Sequence, residues 1–176
     1  EAAGYGAYFR SDHYLRMGSV SGLPGVTDAW TTLDGLARDT STIRLGTLVT
    51  PVTFRAPGIT AKAAATLDVL TGGRAFVGVG AGWWEREHAA FGLDFPPAKQ
   101  RLDDLERGSE TMRALWSAGT KAYDGERVSL PETTSYPRPA GGIPVIVGGT
   151  GRRTLRIAAA LGDAANVPST RPQLDE

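Results

Sequence analysis

Short apolar runs alternate with amphipathic helical patterns along this chain of 176 residues, and this alternation restricts the fold more than any other feature. The residue pattern predicts strands at residues 5–9, 43–53, 75–82, 143–149 and 164–167. It predicts helices at residues 28–40, 57–70, 99–117 and 152–161. Strands that alternate with helices build βαβ units, so we expect an α/β fold with a parallel sheet.

Two architectures contain such a sheet: an open doubly wound sheet and a (β/α)₈ TIM barrel. A barrel has eight strands and usually about 250 residues, so a barrel here would be incomplete. Residues 119–142 interrupt the alternation, because Asp124-Gly125 lies between two short β-like runs and predicts a hairpin, followed by a Pro- and Gly-rich loop. We therefore expect a single domain over residues 1–176, with residues 119–142 as an insertion.

The composition excludes several classes of function. The formal net charge is zero and the pI is about 7.1, which argues against a nucleic-acid or anionic-membrane partner. The chain has no cysteine, which excludes disulfides, thiolate metal sites and cysteine catalysis. No apolar run approaches the ~18 residues of a membrane helix, and no signal-peptide pattern is visible, so we expect a cytoplasmic protein.

Residues Asp12 and His13 follow the first predicted strand at its carboxyl end, where barrel active sites lie. An imidazole titrates near ~6.5 and suits proton transfer. Neighbouring residues in an extended segment point to opposite sides, so Asp12 need not orient His13; a surface turn is the alternative interpretation. The second histidine, His88, lies in the charged run Glu85-Arg86-Glu87-His88, which lacks the HExxH spacing of a zinc site, so we predict no metal and a solvated or capping His88.

Three glycines, Gly78, Gly80 and Gly82, would leave one face of the third predicted strand without side chains. Glycine weakens a strand unless something approaches the backbone closely, which here is either a flat ring or crowded packing inside a narrow barrel. Trp83 occupies the third small-residue position of a G-x-G-x-x-G dinucleotide pattern, so that pattern fails.

The segment Gly148-Gly149-Thr150-Gly151 ends a predicted strand and opens a predicted helix. Backbone N–H groups at a helix N-terminus form an anion site. Arg152 and Arg153 in the first turn oppose the helix dipole, and a bound phosphate would reverse that effect. The alternative is that both arginines extend into water.

Four stretches, taken together and in this order, resemble the luciferase-like monooxygenase family of flavin- and deazaflavin-dependent (β/α)₈ barrels. They read "EAAGYGAYFRSDHYL", "IRLGTLVTPVTFRAPGITAKAAATLDVLTGGRAFVGVGAGWWEREHAAFG", "RLDDLERGSETMRALWS" and "IPVIVGGTGRRTLRIAAALGDAANV". The branch that uses coenzyme F-420 is the most similar. The resemblance implies that the visible strands are the second to sixth of the barrel and that the chain is a fragment.

The resemblance also implies site residues. Asp12 and His13 match the region that handles the deazaflavin and the proton or hydride chemistry. The third-strand bulge of the family matches Thr47, Leu48 and Val49. Several relatives hold a non-proline cis peptide in this bulge, and we place it between residues 48 and 49. Positions matching the ring- and tail-binding segment are Gly80, Ala81 and Gly82. Positions matching the phosphate site are Gly148, Gly149 and Thr150, with Arg152 beside them.

One position departs from the sugar-phosphate dehydrogenases of the family, which carry a catalytic glutamate where this chain has Trp83. That substrate class is therefore in doubt, and Trp83 with Trp84 would instead form an apolar substrate wall. The resemblance implies an oxidoreductase that transfers a hydride between coenzyme F-420 and a small organic substrate. The alternatives are an FMN-dependent two-component monooxygenase that uses oxygen, and a non-catalytic barrel that has lost cofactor binding. Implied partners are a second copy in a homodimer and a separate flavin or F-420 reductase.

Overall fold

A parallel sheet organises the computed structural model, which describes residues 1–18, 21, 23–117, 121–132, 135–139 and 141–167. Its strands and those of a separate hairpin are β1 (Ala7–Arg10), β2 (Arg44–Pro51), β3 (Ala75–Gly80), β4 (Tyr123–Asp124), β5 (Ser129–Leu130), β6 (Val145–Gly148) and β7 (Ala164–Asn166). The helices are α1 (Ala29–Asp39), α2 (Pro57–Thr71), α3 (Glu85–Ala90), α4 (Ala98–Trp116) and α5 (Arg152–Leu161). No helix in the described ranges is long and apolar enough to cross a membrane.

The strand order distinguishes the two architectures. The five-stranded sheet has the order β1-β2-β3-β6-β7, and every neighbouring pair is parallel. Each crossover therefore advances one position in the same direction, and right-handed crossovers then place all the helices on one face. A doubly wound sheet reverses its strand order. The open doubly wound alternative is wrong, and the chain folds as part of a (β/α)₈ barrel.

The hydrophobic core lies between the sheet and the helices. Leu33 of α1, Leu67 of α2 and Leu105 of α4 are fully buried there against Val77 and Val145 of the sheet. Full burial of one such side chain contributes about 1.5–3 kcal/mol. Alternate residues of a strand point to opposite faces, so the glycines of β3 belong to the other face, which faces the barrel interior.

Local signals define most element ends. Asp28 caps α1, because its Oδ1 accepts the backbone N–H of Thr31 at 2.8 Å. Pro57 begins α2, and Gly72 ends it in the left-handed region at φ 65°. The sequence reading missed α3, because six residues with a charged first turn carry no helical apolar stripe.

The hairpin forms where Asp124-Gly125 predicts it, with Tyr123 opposite Leu130 and Asp124 opposite Ser129. Its turn is longer than the two-residue turn that Asp-Gly favours, since residues 125–128 connect the strands. Glu110 of α4 holds the hairpin by accepting the Tyr123 hydroxyl at 3.1 Å. Residues 119, 120, 133, 134 and 140 of the predicted insertion, and residues 168–176 of the predicted domain, lie outside the described residues.

Candidate active site

The carboxyl ends of the parallel strands bring the predicted site residues to one edge of the sheet. The strands β1, β2, β3 and β6 end there at Arg10, Pro51, Gly80 and Gly148. Ligands of parallel α/β folds bind at this edge because the loops that follow the strands converge on it.

Asp12 and His13 point in different directions. Asp12 is fully buried, and its Oδ2 accepts the Thr50 hydroxyl at 2.9 Å and the Arg55 guanidinium at 2.5 Å. Arg55 also donates to Asp28, the cap of α1, at 2.8 Å. We call Asp12, Arg55 and Asp28 the ion-pair triad. It ties the end of β1 to the start of α1, so Asp12 is engaged in holding the fold, and its carboxylate bonds to Thr50 and Arg55.

Electrostatics stabilise the charged forms within the ion-pair triad. Burial alone would lower the pKa of Arg55, but the hydrogen bonds and charge of Asp12 raise this pKa above its ordinary value. Burial alone would raise the pKa of Asp28, but the hydrogen bonds from Thr31 and the charge of Arg55 lower it below its ordinary value. The pKa shifts of Arg55 and Asp28 thus both favour the charged forms of these two groups.

His13 contacts a carboxylate that sequence reasoning missed. Its Nδ1 lies 2.7 Å from Oε2 of Glu87, whose side chain is 1% exposed. The other oxygen, Oε1, accepts the backbone N–H groups of Tyr14 at 2.6 Å and Leu15 at 2.7 Å. No spacing pattern links these partners, because His13 and Glu87 are 74 residues apart in the sequence.

The prediction of a solvated or capping His88 is wrong. His88 is 1% exposed, its Nε2 lies 2.6 Å from the Thr53 hydroxyl, and its Nδ1 lies 2.8 Å from the Trp84 carbonyl. Phe54 and Phe95 pack against its ring. The run 85–88 forms part of a helix, and its inner face buries Glu87 and His88 together. Among the described residues, no group of three or more His, Asp or Glu side chains could hold a metal ion.

Trp83 and Trp84 form an aromatic wall beside His13. Their rings stack at 5.6 Å with an interplanar angle of 8°. The His13 ring meets them at 5.9 Å and 5.8 Å, with its plane steeply inclined to both. Trp83 is 65% exposed, so the wall is open to solvent on one side. An imidazole against a flat apolar surface suits proton transfer to a substrate with an apolar body.

The predicted bulge lies in β2, where the register with β3 shifts between Thr47 and Thr50. The Leu48–Val49 peptide is cis, as predicted. The Val49 side chain lies over the glycines of the neighbouring strands. A Cβ placed at Gly80 or at Gly148 would come within 2.8 Å of a Val49 methyl group.

These contacts decide between the two interpretations of the glycines. Gly78, Gly80 and Gly148 make room for Val49, so the close approach to the backbone comes from within the sheet. The expectation that Gly82 shares the face of β3 is wrong, because β3 ends at Gly80 and Gly82 lies in the loop with φ 77°. There it packs against Thr53.

Gly148→Ala tests this packing. The new Cβ would overlap the stiff, β-branched Val49, so we expect the free energy of unfolding to fall by about 1–3 kcal/mol in urea denaturation. Adding Val49→Ala should recover part of that loss, because it removes the overlapping methyl groups. Equal or greater destabilisation in the double variant would contradict this account.

The segment between β6 and α5 presents an open helix N-terminus. Gly151 is the N-cap of α5, and no side chain caps its N–H groups. Arg153 is held by ion pairs to Asp103 at 2.6 Å and Glu106 at 3.1 Å on α4. Arg152 is exposed in the first turn. Uncapped N–H groups beside one exposed guanidinium fit a phosphate.

A cavity of about 480 Å³ lies on the helix side of the sheet, between the loop after β2 and α4. Its lining includes Thr50 and Arg55, which hold Asp12, together with Val79 and Met112. The lining includes neither His13 nor the tryptophans, so this cavity lies behind the candidate site.

Comparison with known proteins adds a family match. A model of the family described as luciferase-like monooxygenase matches residues 1–173. An F-420-dependent glucose-6-phosphate dehydrogenase of Segniliparus rotundus is 35% identical over 93% of this chain and 48% of its own length. The pyrimidine monooxygenase RutA of Allorhizobium ampelinum is 30% identical over 89% of this chain and 45% of its own length.

The fold of this chain is similar to that of a solved structure. The F-420-dependent tetrahydromethanopterin reductase of Methanopyrus kandleri superposes with a TM-score of 0.78 at 26% identity, covering 97% of this chain and 50% of that one. The chain therefore spans about half the length of the relatives that it matches.

Proposed function

Because the chain belongs to the luciferase-like monooxygenase family, we propose that the whole protein is an oxidoreductase that transfers a hydride between coenzyme F-420 and a small organic substrate. The observation that carries the proposal is His13, held by the buried Glu87 beside the stacked Trp83 and Trp84 at the catalytic edge of the sheet. Two relatives are named as F-420-dependent enzymes, and this supports the choice of cofactor.

The uncapped start of α5 and the exposed Arg152 fit the phosphate of a deazaflavin cofactor. Coenzyme F-420, when bound, supplies a ring that accepts or donates a hydride. We assign the ring's surroundings to the bulge, whose residues are Thr47, Leu48 and Val49, and to the end of β3 with the loop that follows it, whose residues are Gly80, Ala81 and Gly82. We assign a phosphate of the cofactor to the segment Gly148, Gly149 and Thr150 and to the uncapped N–H groups that follow it at the start of α5, with the exposed Arg152 beside them.

His13 is the proposed proton donor or acceptor, and Trp83 and Trp84 are the proposed substrate wall. An imidazole can take and return a proton in each catalytic cycle. We assign Asp12 a positioning role. Its carboxylate fixes the loop after β1 through Arg55, and that loop carries His13.

A second candidate is an FMN-dependent two-component monooxygenase that acts with oxygen and a separate flavin or F-420 reductase. The similarity to a pyrimidine monooxygenase favours it. The alternative from a different functional class is a non-catalytic barrel that has lost cofactor binding. We also propose that the protein forms a homodimer and is located in the cytoplasm.

Equilibrium binding of F-420 and of FMN to the protein expressed from its complete reading frame tests the cofactor. We expect F-420 to bind at least about tenfold more tightly than FMN, a difference of about 1.4 kcal/mol. Arg152→Ala should weaken F-420 binding by about tenfold, because one charge-assisted contact is lost. Arg156→Ala is the matched control, since it removes an exposed arginine one turn further along α5.

Other outcomes of these binding measurements would contradict parts of the proposal. Preference for FMN would contradict the F-420 assignment and make oxygen consumption the next assay. Failure to bind either cofactor would contradict the enzyme proposal as a whole. Equal losses in both arginine variants would show that general charge, and not Arg152, attracts the cofactor.

A further inference from the structure

We propose that Glu87 is the positioning residue of the site: it holds the proton of the neutral His13 ring on Nδ1 and leaves Nε2 free to accept a proton from the substrate. The inference rests on the proposed function for its catalytic consequence. Its structural part, the tautomer of His13, can be measured without any cofactor.

The hydrogen bonds around Glu87 support this assignment. Oε1 accepts two backbone N–H groups, from Tyr14 and Leu15, which is the pattern of an ionised carboxylate. Oε2 lies 2.7 Å from Nδ1 of His13. An ionised carboxylate only accepts hydrogen bonds, so the proton between the two groups belongs to Nδ1.

The second ring nitrogen is left available. No side chain or backbone group of the described residues forms a hydrogen bond to Nε2 of His13. The histidine side chain is 13% exposed, and the edges of Trp83 and Trp84 border it. A neutral imidazole that carries its proton on Nδ1 presents a lone pair at Nε2.

The orientation has a chemical consequence. When a substrate O–H or N–H bond breaks, its electron pair stays on the substrate and the proton forms the Nε2–H bond. The ring then carries a positive charge, and the buried Glu87 carboxylate neutralises this charge at 2.7 Å. Glu87 needs no contact with the substrate for this role. The same path in reverse returns the proton.

The variant Glu87→Gln separates tautomer control from simple support. Glutamine has the same shape, and its carbonyl oxygen can still accept the Tyr14 and Leu15 N–H groups. Its amide group would then donate to Nδ1 of His13. This reverses the tautomer and places the proton on Nε2, where the ring can no longer act as a base.

The readouts are the ¹⁵N NMR shifts of His13, assigned with His13→Gln, and the steady-state kinetics of the complete protein with F-420. We expect wild-type His13 to carry its proton on Nδ1, and Glu87→Gln to move it to Nε2. We expect kcat to fall about 100-fold, with the KM of the substrate and the Kd of F-420 unchanged. Glu85→Gln makes the same chemical change at an exposed position of the same helix and should leave both readouts unchanged.

Two results would overturn the inference. A wild-type His13 with its proton on Nε2 would do so without any variant, even if Glu87→Gln failed to fold. An unchanged kcat in a Glu87→Gln protein whose tautomer has reversed would remove the catalytic consequence. If His13→Ala itself leaves turnover unchanged, the proposed function fails, while the tautomer measurement still decides the structural part.

Discussion

Replacing His13 with alanine is expected to lower the turnover number of the complete protein by about 10³-fold, the largest catalytic effect that the site predicts. The imidazole is the titratable group that the structure places between the buried Glu87 and the stacked tryptophans. Alanine removes the proton acceptor and leaves the carboxylate bonded to the Tyr14 and Leu15 N–H groups. The loop should therefore keep its position while proton transfer is lost.

The measurement is steady-state turnover with F-420, together with cofactor titration of the same variant. We expect the Kd of F-420 to change less than about threefold, because no cofactor contact is assigned to His13. Added imidazole should restore part of the activity by occupying the vacated space. Turnover within a factor of two of the wild type would exclude His13 as the proton donor or acceptor.

Arg55→Met is expected to cost about 3–5 kcal/mol of the free energy of unfolding, the largest effect on stability that the structure predicts. Asp12 is fully buried and depends on Arg55 for its charge partner at 2.5 Å. In the variant, the buried Asp12 carboxylate has lost its charge partner and keeps the hydrogen bond from the Thr50 hydroxyl. Methionine retains the apolar stem of arginine, so lost packing explains little of the cost.

Urea denaturation of the complete protein gives the measurement, and a double variant identifies the cause. Asp12→Asn in the Arg55→Met background removes the unpaired charge and should recover a substantial part of the stability. Lys99→Met is the control, because the exposed pair of Lys99 with Asp103 should contribute less than about 1 kcal/mol. A cost of less than about 1 kcal/mol for Arg55→Met would show that the ion-pair triad does not hold the fold.

Sequence patterns predicted the elements that local chemistry defines. The apolar stripe with Pro57 and Gly72 at its ends specified α2, and the strands appeared as apolar runs because both faces of a barrel strand are covered. The short, charged α3 was missed for the opposite reason. Two of its residues are buried by contacts with distant loops, and this burial does not follow from the pattern of residues 85–90.

The glycines illustrate a partial success. Their spacing indicated a close approach to the backbone at Gly78 and Gly80, and the structure has one. The sequence could not identify what approaches, because Val49 reaches both glycines from a bulge in a different strand. A bulge shifts the register of its strand and so moves a side chain over other positions of the sheet. The residues at those positions stay the same, so their pattern does not reveal the contact.

The sequence by itself determined the alternation of strands and helices, the ends of most elements and the candidacy of Asp12 and His13, because these depend on residues near each other in the chain. Only the tertiary structure separated the two neighbours, pairing Asp12 with Arg55, 43 residues away, and His13 with Glu87, 74 residues away. Extended backbone points adjacent side chains to opposite sides, so neighbours in sequence enter different surroundings. What each side chain meets there depends on which distant loops the parallel strands bring to the same edge of the sheet.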